Sequence, residues 1–243
     1  MLSFRRWSQL LAVGFVLLVV SSVSLHAQPP ATVPSVTPAD APCCGVITPN
    51  GQHLLALLDS MDVEHHWLNH HRVDWKTGHE VRSGFQQKDT HCSAFAAAAS
   101  YRLHVYLLRP PEHSQEMLAN GQGRWLASEK SRREGWEPVT AQEAQRRANL
   151  GEFVVGVYVE ADPHTHGHIV VIRPAEKTTA ELAQDGPQDA MAGVNNYSSR
   201  PVAQSFGSHP NAWPDGIRYY AHKVPWDEVR SSNADANTME QPQ

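Results

Sequence analysis

Residues 153–174 read FVVGVYVEADPHTHGHIVVIRP, and the folding of this stretch decides the class of the domain. Two β-branched apolar runs, 153–160 and 168–174, flank ADPHTHG, whose Asp, Pro and Gly are turn formers. Together they read as an antiparallel hairpin. Downstream, DAMAGV (189–194) and GIRYYAHKV (216–224) supply further candidate strands. Upstream the period changes to that of helices. In GQHLLALLDSMDVEHHWL (51–68), Leu54, Leu55, Leu57, Leu58 and Met61 form an apolar helical stripe. CSAFAAAASYRLHVY (92–106) reads as a helix of small residues able to pack closely on its neighbour. TAQEAQRRANLG (140–151) has Thr140 and Glu143 spaced as a capping box and Gly151 where a C-terminal cap belongs. HSQEMLAN (113–120) is a further helix candidate. Helices followed by a block of strands predict an α+β domain, a small antiparallel sheet covered by helices.

The chain has 243 residues, 41% hydrophobic and 19% charged, enough for one sizeable core. A formal net charge of -5 supplies no basic field, which argues against nucleic acid as a partner. Residues 1–27 have the layout of a secretory signal peptide: Arg5 and Arg6, an apolar run from Leu10 to Val20, then small and polar residues to Ala27. The apolar run is short for a bilayer, so the expectation is export and cleavage near Ala27, with no stable membrane insertion afterwards and a periplasmic or secreted location. A retained N-terminal anchor is the alternative. Residues 28–42, rich in Pro, Ala and Thr, read as a flexible linker, 43–229 as the globular unit and 230–243 as a disordered tail. Three cysteines remain after export: Cys43, Cys44 and Cys92. In an oxidising compartment an odd count leaves one thiol over. Cys43 and Cys44 could join each other or another chain, or one could join Cys92.

Cys92 carries the chemical argument. It stands between the polar KDTH and the first turn of an alanine-rich helix, where free backbone N–H groups and the positive end of the helix dipole favour thiolate. A nucleophilic thiol needs a base, and His168, preceded by Gly167 and opening an apolar strand, is the candidate. A Cys followed well down the chain by such a His is an arrangement for acyl transfer.

DTHCSAFAAAASYRL (89–103) followed by GHIVVIRP (167–174) resembles the catalytic helix and His strand of the papain-like NlpC/P60 and CHAP group of cysteine peptidases and amidases. The likeness spans about Gly84 to Tyr220, and THCS departs from the commoner pattern with DC before the serine or glycine. It implies a papain-like α+β domain, Cys92 as nucleophile, His168 as general base and then acid, and a polar third residue on the following strand. Gln188, Asp189, Asn195 and Asn196 are the candidates for that third role, with Asn196 favoured because a carboxamide suits a thiolate–imidazolium pair. The resemblance and export together imply a peptide or peptidoglycan substrate, with amide bonds of cell-wall stem peptides as the target. No cofactor is required, and the oligomeric state is not legible.

Two other readings come from other classes. Fifteen histidines include HHWLNHH, with His66 and His70 at helical i, i+4 spacing, and HTHGH, with His164, His166 and His168 alternating as on one strand face. These would suit a metal-binding exported protein, although HExxH is absent. A papain-like domain that binds cell-wall peptides without cleaving them would retain the cleft and lose turnover.

Overall fold

A computed structural model describes residues 38–81, 90–162 and 164–239. The expected signal peptide and most of the linker lie outside them. Helices α1 (Pro49–Ser60), α2 (Cys92–Arg102), α3 (Leu118–Leu126), α4 (Glu129–Arg133) and α5 (Ala141–Asn149) precede most of the strands. Among the described residues the main sheet has six antiparallel strands: β2 (Glu137–Val139), β3 (Phe153–Tyr158), β4 (His168–Ile172), β6 (Gln188–Met191), β7 (Tyr197–Pro201) and β8 (Arg218–His222). Their order is β2-β8-β3-β4-β6-β7, so the expected hairpin β3–β4 is the middle of the sheet. β1 (Pro42–Cys43) and β5 (Lys177–Thr178) form a separate short pair. Helices α6 (Thr179–Asp185), α7 (Val202–Ser205) and α8 (Trp226–Met239) complete an α+β fold.

The register explains why the hairpin reads as two continuous apolar runs instead of alternating. Val155 opposes Val171 and Tyr158 opposes His168, and every residue of both strands is buried. Both sheet faces are therefore covered. Ile169, Val171, Val155 and Val157 pack with Ala94, Phe95 and Ala98 of α2. Val154, Val170 and Ile172 pack on the other face with Ala144 and Ala148 of α5 and with Phe206. Residues Cys92 to Ser100 of α2 are all buried, and their small side chains let the helix lie close on β4.

Local caps follow the sequence chemistry. Thr140 Oγ1 accepts from the Glu143 amide, and Gly151 takes a left-handed φ of 87° just beyond α5. Glu143 does not close the box; its carboxylate accepts from Arg146 and Arg147 instead.

Several expectations are corrected. The first helix stops at Ser60, and His66 and His70 fall in turns, where His70 has φ 66°, so they do not share a helical face. Within HSQEMLAN only the last residues are helical, because α3 begins at Leu118. Strand β4 starts at His168, which leaves His164 and His166 in the preceding turn. The segment read as a tail from 230 is helical through Met239. Cys43 and Cys44 are joined to each other, which leaves Cys92 a free thiol.

Candidate functional site

The N-terminus of α2 and the start of β4 meet at a cavity of about 1130 Å³. Cys92, His168, Asn195, Arg200 and His209 are among the side chains that line it. The thiol is held at the first turn by its helix. His91 occupies the N-cap position and anchors there through Nε2 to the His71 carbonyl at 2.7 Å. Backbone N–H groups of Ile169, Ser93 and Cys92 itself point at the sulfur and pull its pKa down. Burial pulls harder the other way, so the net direction is up from the ordinary thiol value. The N–H groups at the start of α2 do favour thiolate, but burial outweighs them and the resting group is a neutral thiol.

His168 is placed by the turn that precedes it. Asn120, fully buried on α3, donates from Nδ2 to the Thr165 carbonyl at 2.8 Å and accepts at Oδ1 from the Glu160 amide at 3.0 Å. Gly167 passes so close to the Tyr158 carbonyl and to Asn120 that no side chain fits there. The imidazole then packs edge-on to Phe206, centroids 5.0 Å apart, and stacks on His209 at 5.7 Å with an interplanar angle of 14°. Burial above all, then His209 and Arg200, push its pKa down to about 3. It is a neutral imidazole at physiological pH, and among the described residues its buried Nε2 has no hydrogen-bond partner.

Cys92 and His168 therefore share a cavity and approach through the backbone, since the amide that reaches the sulfur belongs to Ile169, the residue after His168. Their side chains are not bonded to each other. The ring lies with Phe206 on one face of the sheet, whereas α2 covers the face that carries Ile169.

The structure does not bring Asn196 to the imidazole. Its Oδ1 accepts from the Gly193 amide at 2.9 Å, and its Nδ2 donates to the carbonyls of Val63 at 2.8 Å and His66 at 2.7 Å. A carboxamide so committed fastens two loops together. Of the other candidates, Gln188 donates to Ser199 Oγ at 2.8 Å, and Asn195 is exposed at the cavity wall. Asp189 is fully buried opposite Ile172, four residues along β4 from His168, where its Oδ1 accepts from Ser205 Oγ at 2.9 Å. Burial holds its carboxyl well above the usual range.

The two rings that pack on the imidazole, Phe206 and His209, carry no signal of that role in the sequence. They lie in QSFGSHPNAWPDG (204–216), whose Gly and Pro mark it only as a loop. Among the described residues no group of three or more His, Cys, Asp or Glu side chains converges to hold a metal ion. No family model matches the chain, and no curated protein matches it.

Proposed function

We propose that the chain is an exported thiol hydrolase of papain-like design that cleaves amide bonds, with Cys92 as nucleophile, His168 as base and cell-wall peptides as substrates. The observation that carries this reading is the junction itself: a free cysteine at the first turn of a buried helix and a strand-opening histidine, both lining one large cavity. Starting from neutral thiol and neutral imidazole, attack forms a thioester with Cys92 as the C–N bond breaks, the thiol proton passing through His168 to the leaving amine; water activated by His168 then cleaves the thioester, releasing the carboxylic acid and restoring the thiol. For that transfer the imidazole must leave its stack on His209 and come within hydrogen-bond reach of the sulfur. Backbone N–H groups at the start of α2 are the available donors for the developing oxyanion. The peptidoglycan substrate rests on the resemblance and on export.

A second reading, a peptide-binding domain without turnover, is favoured by two features: the upward shift of the Cys92 thiol and the His168 Nε2 without a hydrogen-bond partner among the described residues. Digestion of purified peptidoglycan, followed by mass spectrometry, separates the two. The hydrolase reading expects new free amine and carboxyl termini from wild type and none from Cys92→Ala or His168→Ala. Bound but intact fragments with all three proteins would establish the binding reading.

A further inference from the structure

A second cavity, about 850 Å³, opens where the C-terminal end of α2 meets α1 and α8. Arg102, Arg109, Arg230, His53 and His104 line it, and among its described lining residues there is no Asp or Glu. Three arginines in one cavity without a lining carboxylate are unexpected on a chain of net charge -5.

The arginines differ in what holds them. Arg230 is committed, donating to Asp227 at 2.6 Å. Arg102 is half-buried, has its pKa lowered by burial alone, and makes no side-chain ion pair or hydrogen bond among the described residues. Its guanidinium nitrogens stay open to solvent, so their donors are available to an anion that enters the cavity. Arg109 is steadied by rings: its guanidinium lies 5.3 Å from the Tyr101 centroid and 5.0 Å from that of Tyr106. One of its N–H groups reaches the Val105 carbonyl at 3.4 Å. Stacking on aromatic faces orients a guanidinium while leaving its charge and most of its donors available. The carboxylates felt at Tyr106, Glu112 and Glu134, lie outside the cavity lining.

We infer that this cavity is an anion site, in which Arg102 and Arg109 take a phosphate group while the exposed ring of Tyr101 lies beside the body that carries it. The ligand class is a phosphate monoester with a flat or apolar body. Planar forks of N–H donors match tetrahedral oxyanions bidentately, and an exposed ring beside them rewards a body that can lie against it. The site stands apart from the thiol cavity: no residue lines both. Its occupation therefore does not depend on the hydrolase reading.

Calorimetric titration of the full chain with phenyl phosphate and with inorganic phosphate, at low ionic strength, tests the assignment. Saturable one-to-one binding is expected, tighter for phenyl phosphate, and weakened by added salt. Arg102→Gln and Arg109→Gln should each weaken it about tenfold or more, the loss of a charge-assisted hydrogen bond. Arg72→Gln, at the other cavity, should leave it unchanged. Circular dichroism establishes that each variant is folded. Binding that does not saturate, or that is lost in Arg72→Gln and kept in Arg102→Gln, overturns the proposal.

Discussion

At the scale of single residues, His168 sets a pH dependence whose sign is fixed by burial. Its folded pKa of about 3 lies below the ordinary value of 6.5. Below pH 6.5 the unfolded chain takes up a proton that the folded one refuses. Stability is therefore complete above that pH and is lost as the pH falls toward 3. Between pH 7 and 4.5 this one group should remove roughly 2–3 kcal/mol. His209, also shifted down by burial, acts in the same direction, so His168→Phe should shrink the slope without abolishing it. Urea denaturation of both proteins at the two pH values measures the difference, and equal slopes would mean that the imidazole is solvated. The same shift bears on chemistry: at a pKa of about 3 His168 is unprotonated but a weak base, and Cys92 is shifted upward, so proton transfer between them is uphill until the imidazole leaves its buried setting.

At the scale of elements, two side-chain amides tie down the loops around the cavity. Asn120 ties α3 to the turn before β4, and Asn196 ties the 191–197 loop to the turns after α1. The two roles proposed for Asn196, orienting an imidazole and fastening loops, make opposite demands on its replacement. An orienting group need only accept a hydrogen bond, so Asp would serve. A fastener must donate to the Val63 and His66 carbonyls, which a carboxylate cannot do. Asn196→Asp should therefore be no better than Asn196→Ala, each costing about 1–3 kcal/mol by leaving buried carbonyls unpaired. Thermal unfolding of the two variants measures this; an Asp variant as stable as wild type would restore the orienting role.

At the scale of the whole molecule, local patterns announced the elements they contain and were silent about what lies across space. The hairpin was legible because β-branched runs, a Pro–Gly turn and continuous apolar character all agree over 153–174. Helix α5 was legible from Thr140 and Gly151, whose chemistry is local. The facing of His168 was not. Proximity of a helix start to a strand start is legible from chain order, but the face a strand's first residue takes depends on packing by Phe206 and His209, nearly forty residues later. The C-terminal helix was misread for a related reason. SSNADANTMEQPQ is polar, yet the turn that opens α8 carries Trp226 and Val229, both buried in the main core. Trp226 Nε1 donates to the Gly151 carbonyl at 2.9 Å, so the end of the chain closes over the C-terminus of α5. Burial of one large ring and its hydrogen bond outweighs the polarity of the residues beyond it. Trp226→Ala should lower the unfolding free energy by about 3–5 kcal/mol, the cost of a large buried aromatic and the cavity it leaves. Arg230→Ala, on the same helix but paired only with surface groups, should cost under about 1 kcal/mol. Denaturant titration of both variants reads the contrast. Equal, small losses would mean that α8 merely rests on the domain, whereas the expected gap makes its first turn part of the core that supports both cavities.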